Sequence, residues 1–331
     1  MHQRSHQPSF AGVSGFLRSP LADYADVGPG AVTILGAPHD TTCSSRQGAR
    51  FGPTGIRAAS QYLGDLFRRG DGDLVDLATG QVFHRPGAGM LLDMGDLPVQ
   101  PTDVVRTTAS IREGVAESTA RGGFPVTLGG DHYISYPAFL GFSDAFCGSN
   151  RDQRIGSIQM DSHFDLGDIN LVWGRYWHGS NARRISEVDV VNPANMVWIG
   201  VNGVTRGEQY EFAKGMGLTF FTGEDVRQLG IVEVVRRALE IAGNGTEAIY
   251  LSLDIDVVDA LFAPGTGAVV WGGIRPADLL AAMDLIGAAN VRAMDLVEVA
   301  PNLDPTEATA RLASLAVIHL TAPRLFGARR P

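Results

Sequence analysis

From residue 31 onward, the chain alternates short apolar runs with longer amphipathic stretches. This alternation is typical of β–α–β units, in which helices connect the parallel strands of one sheet. The sequence therefore predicts an α/β fold built on a parallel sheet. The strands are predicted at residues 32–35, 90–94, 125–128, 155–160, 196–201, 218–221, 248–253 and 291–296.

The predicted helices fill the stretches between these strands. Pro276 and Pro305 each follow a polar residue at a position where a proline in the first helical turn is tolerated. The helices are predicted at residues 54–67, 103–121, 136–142, 204–214, 224–241, 276–285 and 305–322.

Neither a low-complexity linker nor a repeat of fixed period divides the 331 residues, so we expect a single domain over residues 31–331. Residues 1–30 form a predicted N-terminal arm. Its first ~20 residues carry Gln, Ser, His and Pro without periodicity, and they are expected to be loosely held.

The formal net charge of −9 argues against a nucleic-acid partner, which would need a basic face, and it is compatible with a cationic small substrate. Cys43 and Cys147 give neither a disulfide framework nor a C-x-x-C motif. Residues 1–30 lack the continuous apolar segment of a secretory signal, and no run reaches the length of a membrane span. We therefore expect a cytoplasmic protein without a membrane partner.

Polar residues follow four of the predicted strands. In open α/β sheets the binding crevice lies beyond the carboxyl ends of the strands, so these residues are candidates for one shared site. The candidate segments are Gly129-Gly-Asp-His132, Asp161-Ser-His-Phe-Asp165, Asp254-Ile-Asp256 and Glu298.

The segment after strand 155–160 places Asp161, His163 and Asp165 at alternate positions. If the extended backbone continued, all three side chains would lie on one side. Carboxylates together with imidazole suit Mn, Zn, Fe or Ni better than Ca or Mg, which prefer oxygen alone. The alternative is a polar loop with a histidine that binds nothing.

Asp254 and Asp256 are also one residue apart, after an apolar run. Two like charges held this close repel each other unless a cation or a proton neutralises them. The paired glycines before His132 allow a tight turn that could direct His132 into the site, although Asp131 could simply cap the next helix. Two histidines and four aspartates at three strand ends are together what a two-metal site requires.

Two further residues are candidates for catalysis. Glu298, after the fourth strand, adds a carboxylate that could accept hydrogen bonds from a cationic ligand; alone it would read as a surface glutamate. His178 lies on a loop rich in glycine and aromatic residues, and such a loop can fold over a pocket. With a near-neutral pKa it could donate a proton to a leaving amine.

These motifs resemble, in order and spacing, the signature of the ureohydrolases, the family of arginases, agmatinases and related amidinohydrolases. The resemblance covers residues 31–322 and implies a three-layer α/β/α fold with an eight-stranded parallel sheet. The matching segments are Asp40–Pro53, Gly129–His132, Asp161–Asp165, His178–Ser180, Ser252–Asp256, Asp259, Pro264–Gly267 and Glu298.

The resemblance also implies the chemistry, which is hydrolysis of a guanidino group to urea and an amine with two Mn ions. Asp161 and Asp254 would bridge the ions, and Asp165 would orient the attacking hydroxide. Glu298 would hold the guanidinium and His178 would shuttle a proton to the amine. The implied ligands are His132, Asp161, Asp165 and Asp254 for one ion, and Asp161, His163, Asp254 and Asp256 for the other.

The substrate is less constrained than the reaction. Gly167 stands where arginases carry an asparagine, which disfavours arginine, and the segment 174–179 resembles agmatinases and guanidino-acid hydrolases. Agmatine is our first choice. The alternative is guanidinobutyrate, guanidinopropionate or a specialised guanidino metabolite. Arg175 and Trp271 are candidate pocket residues: Arg175 would favour an acidic tail, unless it faces solvent or a neighbouring subunit.

Two other classes of protein stay possible at this point. A catalytically silent homologue that binds metal is one, although all six ligands are present; a single-zinc deacylase of a related fold is the other. The resemblance further suggests Ni as the alternative metal and a homo-oligomer, a trimer or a hexamer, as the assembly.

Overall fold

The protein, described here from a computed structural model, is built around an eight-stranded sheet in which all strands are parallel. The structure describes residues 15–69, 73–77, 80, 82–84, 86–87 and 89–326. The strand order is β4-β1-β5-β10-β9-β6-β7-β8. The bounds are β1 Val32–Ala37, β4 Leu91–Asp96, β5 Phe124–Gly129, β6 Ile155–Met160, β7 Met196–Val201, β8 Thr219–Thr222, β9 Ala248–Asp254 and β10 Val291–Val297.

All eight predicted strands are confirmed. The structure adds a two-stranded antiparallel sheet of β2 (Leu74–Val75) and β3 (Val82–Phe83), which the sequence analysis did not predict. The helices are α1 Gly52–Arg69, α2 Val104–Ala120, α3 Ser135–Cys147, α4 Asn181–Ser186, α5 Gly207–Gly215, α6 Gly223–Leu229, α7 Ile231–Ala242, α8 Pro276–Gly287 and α9 Ala308–Leu325.

Two apolar cores, one on each face of the sheet, hold the helices against it. In β9, Leu251 and Leu253 pack into the core formed by α1, α6, α7, α8 and α9. Tyr250, the residue before Leu251, packs into the core formed by α2, α3, α4 and α5. Successive side chains of a strand point to opposite faces, so both faces of β9 are buried and its sequence is almost continuously apolar. The predicted three-layer α/β/α architecture is confirmed.

The four strands that precede the candidate segments are neighbours at the centre of the sheet, in the order β5-β10-β9-β6. Because they are parallel, their carboxyl ends lie at the same edge. The topology therefore brings segments that are more than a hundred residues apart in sequence into one crevice, as expected for an open α/β sheet.

The helix predicted at 224–241 is wrong in one respect, because it is two helices. Gly230 has φ +81°, in the left-handed region that favours glycine, and it ends α6 and precedes α7. The amphipathic pattern continues across this break, which is why the sequence suggested one helix.

The expectation of a loose arm up to about residue 20 is wrong for residues 15–20, while residues 1–14 lie outside the described part. Phe16 and Leu17 are buried in the core beside α1. Their backbone amides donate hydrogen bonds to Asp93 Oδ2 (2.7 Å) and Ser60 Oγ (2.8 Å). No helix within the described ranges combines the length and the apolarity needed to cross a membrane.

Candidate metal centre

His132 reaches the site because the chain turns tightly after β5. A Cβ atom on Gly130 would lie 1.7 Å from the carbonyl oxygen of His39, so the close approach of these two backbone segments requires glycine. Asp131 then accepts a hydrogen bond from the amide of Tyr133, in the capping arrangement that was the alternative reading of this motif. Capping by Asp131 and the inward position of His132 therefore occur together.

His132 lies at the centre of the first group of candidate ligands. Its Nδ1 atom is 2.9 Å from Asp165 Oδ2, 3.1 Å from Asp254 Oδ2 and 3.2 Å from Asp161 Oδ2. Nδ1 is fully buried, yet it makes no hydrogen bond of acceptable geometry with any described group. Three carboxylate oxygens therefore lie close to one ring nitrogen, and none of them forms a hydrogen bond with it. This is the arrangement expected of ligands placed around a cation.

A second group shares Asp161 with the first. His163 Nδ1 is 3.0 Å from Asp256 Oδ2 and 3.5 Å from Asp161 Oδ1. Ligand atoms of these three residues all lie within 4.8 Å of one another. Asp161 therefore directs one oxygen at each group, which is the arrangement of a carboxylate that bridges two ions.

The ligands converge through irregular backbone and not through the pleat of a strand, as the sequence analysis had assumed. β6 ends at Met160, and Asp165 has φ +51°. β9 ends at Asp254, whose side chain accepts a hydrogen bond from the amide of Asp256 across a 3-10 turn. Glu298 also has φ +62°. Non-glycine residues in this region carry backbone strain, which is typical of functional sites.

The buried charges of the cluster are unbalanced. Burial, together with the charges of Asp256 and Asp161, raises the pKa of Asp254 well above its ordinary value. Burial lowers the pKa of His132, but the three carboxylates that converge on its ring, those of Asp161, Asp165 and Asp254, outweigh that effect and raise the pKa. Buried carboxylates at this density need a cation or a proton, and the mixed oxygen and nitrogen ligands suit a divalent transition metal.

A buried hydrogen-bond network contacts the His132 ring at Nε2, the nitrogen that does not face the carboxylates. His132 Nε2 is 2.9 Å from Ser252 Oγ, which donates to Asp295 Oδ1 (2.8 Å). Ser135 Oγ and Tyr250 OH also donate to Asp295, at 2.8 and 2.6 Å. The sequence analysis missed Ser252 and Asp295 as contributors to the site. A signal was available, because both are polar residues within apolar strands, and they are paired in register between β9 and β10.

We expect Ser252→Ala to weaken metal binding roughly 10- to 100-fold, since His132 loses the acceptor that fixes its ring orientation. Competition with a chelating dye would measure the metal affinity. Ser143→Ala is the matched control, because Ser143 is equally buried but donates to Leu140 O within α3. Equal metal affinities in the two variants would contradict a role for this network.

A cavity of about 250 Å³ opens above the ligand cluster and is lined by Glu298 and His178. His178 Nδ1 is 3.0 Å from Glu298 Oε1, and Ser44 donates to His178 Nε2 from its amide (3.1 Å). An amide can only donate, so the neutral imidazole carries its proton on Nδ1, facing Glu298. Burial lowers the pKa of His178, but the hydrogen bond and charge of Glu298 outweigh it and raise the pKa to about 9.

Contrary to the prediction that they are pocket residues, Arg175 and Trp271 are not among the described residues that line this cavity. Arg175 Nη2 is 2.5 Å from Glu187 Oε2, and this ion pair holds the guanidinium outside the cavity. The Trp271 side chain is 69% exposed. Phe164 and Trp177 line the cavity instead, and Trp177 packs against Gly167, where an added Cβ would lie 2.6 Å from the indole.

Several cavity residues were not identified from the sequence. Ser44 and Ser45 belong to the segment 40–53 that resembled an active-site loop, so a signal existed for them. Arg206 and Gln209 follow β7 and gave no motif. Cys43 lies behind Glu298 and His178, within 4.8 Å of both. Burial and the charge of Glu298 raise the pKa of the Cys43 thiol, which therefore stays protonated.

Comparison with known proteins agrees with this geometry. The sequence model of the arginase family matches residues 30–322. The chain is 30% identical to guanidinopropionase from Pseudomonas aeruginosa, over 95% of this chain and 92% of that protein. It is 32% identical to agmatinase from Bacillus subtilis, over 85% and 87% of the two chains.

The solved structure of proclavaminate amidinohydrolase from Streptomyces clavuligerus superimposes with a TM-score of 0.81 and 27% identity, over 97% of this chain and 100% of that one. The family match covers most of the chain and the relatives cover nearly all of it. The chain therefore belongs to the arginase family, whose members are hydrolases that act on amidino carbon–nitrogen bonds.

Proposed function

We propose that this protein hydrolyses a small guanidino compound to urea and an amine, with two divalent metal ions as cofactors. The observation that carries the proposal is the position of Asp161, whose two carboxylate oxygens face two separate groups of candidate ligands at the cavity. Six residues of the chain would hold the ions: His132, Asp161, Asp165 and Asp254 the first, and Asp161, His163, Asp254 and Asp256 the second.

The bound ions would supply a water with a lowered pKa and would offset the charge of the carboxylates. The remaining chemistry falls to side chains of the chain. The carboxylate of Glu298 would hold the guanidinium nitrogens by charge-assisted hydrogen bonds. Asp165, at the first ion position, would accept a hydrogen bond from the attacking water and so direct its lone pair at the guanidinium carbon.

His178 would then act as the general acid. The water adds to the guanidinium carbon and the bond from this carbon to the substituted nitrogen breaks, so that nitrogen needs a proton. His178 Nδ1 carries a proton and lies 3.0 Å from Glu298 Oε1. Because Glu298 would hold the guanidinium, this proton would lie close to the departing nitrogen. The products are urea and the free amine.

Mn²⁺ is the proposed metal and Ni²⁺ the alternative, because a set of carboxylates and imidazoles suits both. A cytoplasmic homo-oligomer, trimeric or hexameric, is the proposed form of the protein. For the substrate, agmatine was the first choice from the sequence and a guanidino acid was the alternative. The charges around the cavity support the guanidino acid, as argued below.

The experiment is a urea-release assay on purified protein, first stripped with a chelator and then reloaded with Mn²⁺ or Ni²⁺. We expect no urea from the stripped sample, and equal amounts of urea and amine after reloading with about two metal ions per chain. Full activity in the stripped sample would contradict the proposal. Metal uptake without urea release from any guanidino compound would instead favour the silent homologue.

A further inference from the structure

The cavity carries opposite charges at its two ends. Glu298 and three of the candidate metal ligands, Asp165, Asp254 and Asp256, line the inner end. Among the described residues that line the cavity, Arg206 is the only charged one beyond the metal ligands, Glu298 and His178. A linear substrate with its guanidinium at Glu298 therefore extends its other end toward a positive charge.

Arg206 is not committed to a strong partner. Its Nη1 lies 3.8 Å from Glu208 Oε1, and the two side chains are 80% and 75% exposed. An ion pair this long and this exposed is screened by water and contributes little. The Arg206 guanidinium can thus turn from Glu208 to a carboxylate of a bound ligand. Arg175, in contrast, is held at 2.5 Å by Glu187, outside the cavity.

Of two further polar residues in the lining, Gln209 adds a donor to that of Arg206, whereas the Ser45 hydroxyl can only accept. Gln209 accepts a hydrogen bond from the amide of Leu166 through Oε1 (3.3 Å), so the group that it can offer to a ligand is its Nε2 donor. Ser45 Oγ already donates to Gly267 O at 2.7 Å. The guanidinium of Arg206 and the Nε2 donor of Gln209 match a carboxylate, whereas an ammonium group would meet the like charge of Arg206.

We propose that the substrate is a short guanidino acid, with its carboxylate bound by Arg206 and Gln209, and that Arg206 determines the preference for an acidic tail. The proposal rests on the proposed guanidino hydrolysis and narrows its substrate class. The cavity of about 250 Å³ lies slightly below the roughly 300–1,000 Å³ of typical ligand pockets, which suits a short unbranched molecule. Agmatine would bring its ammonium group against Arg206.

The test compares three substrates that share a four-carbon chain and differ in the charge of the tail: 4-guanidinobutanoate, butylguanidine and agmatine. With the Mn²⁺-loaded wild-type enzyme we expect kcat/KM to fall in that order, by about tenfold at the first step, as for loss of one charge-assisted hydrogen bond. Arg206→Gln is expected to remove this advantage, so that 4-guanidinobutanoate and butylguanidine are hydrolysed with similar kcat/KM. Arg206→Glu is expected to favour agmatine over 4-guanidinobutanoate.

Arg311→Glu is the matched control, because Arg311 is similarly exposed (66%), pairs with Glu307 and lies on α9, outside the cavity. It should keep the wild-type order. Equal kcat/KM for the three substrates in the wild type, or equal effects of Arg206→Glu on all three, would overturn the proposal while urea release still supported the function. No urea from any guanidino compound with the metal bound would overturn both.

Discussion

Replacing Asp254 with asparagine is expected to abolish urea release together with metal retention. Asp254 Oδ2 lies 3.1 Å from His132 Nδ1 in the first ligand group, and its other oxygen accepts a hydrogen bond from the backbone amide of Asp256, a residue of the second group. We expect a loss of at least about 10²–10³-fold, the loss seen when a group that stabilises the transition state is removed. Urea release and elemental analysis after dialysis would measure the two effects.

The metal-free Asp254→Asn protein should be no less stable than the metal-free wild type. Burial and the charges of Asp256 and Asp161 oppose ionisation of Asp254, so a neutral amide relieves repulsion within the cluster. Thermal unfolding of the two metal-free proteins would separate loss of ligand from loss of fold. Asp103→Asn is the control, because asparagine caps a helix as well as aspartate does. Metal retention in Asp254→Asn equal to that of this control would contradict the bridging role.

The strands of the sheet were predictable because of where they lie. A strand such as β9, buried on both faces, must be apolar at nearly every position, and that constraint is visible in one sequence. β2 and β3 have only two residues each, which is too short for any periodicity to appear. The order of the strands depends on contacts between distant segments, so periodicity could not give it. The resemblance to a family supplied the number of strands and their parallel arrangement, but not their order.

The candidate ligands were identifiable from the sequence for a related reason. Acidic residues and a histidine directly after an apolar strand are unexpected, because the ends of central strands are usually buried. Such departures from the expected hydrophobic pattern are typical of functional sites. The details of the backbone were not predictable: Asp165 and Glu298 adopt positive φ values that the surrounding packing imposes. The local sequence favours neither of these φ values. The assumption of strand alternation therefore grouped Asp161, His163 and Asp165 as the structure does, although the backbone there is not a strand.

The residues around the tail of the substrate were the least predictable. Whether an arginine faces the cavity depends on its ion-pair partners in space, such as Glu187 for Arg175. Trp271 and Trp177 both lie on loops after candidate segments, and only Trp177 has a glycine, Gly167, against which its ring can pack. The spacing of residues in the sequence does not show which arginine or which tryptophan lines the cavity. Both depend on distances between side chains in the folded protein.

Glu298→Gln is expected to lower kcat/KM by about 10²–10³-fold while the bound metal stays in place. The amide keeps the size of the side chain and can still accept the amide hydrogen of His132 (2.9 Å), but it loses the charge that pairs with a guanidinium. Steady-state kinetics and elemental analysis would measure the two quantities. Glu307→Gln, a change of an exposed glutamate on the surface, should leave both unchanged.

The same substitution should change the protonation of His178. In the metal-free wild type, Glu298 holds the pKa of His178 at about 9, so the imidazolium persists above neutral pH. Without the carboxylate, burial lowers the pKa and only the charges of Asp165 and Asp131 oppose it, so the pKa of His178 in Glu298→Gln falls below about 9. NMR titration of labelled histidine side chains in the metal-free proteins would follow this change. An unchanged His178 titration would contradict the inferred effect of Glu298 on His178. Loss of metal together with activity would contradict its inferred role in binding the guanidinium.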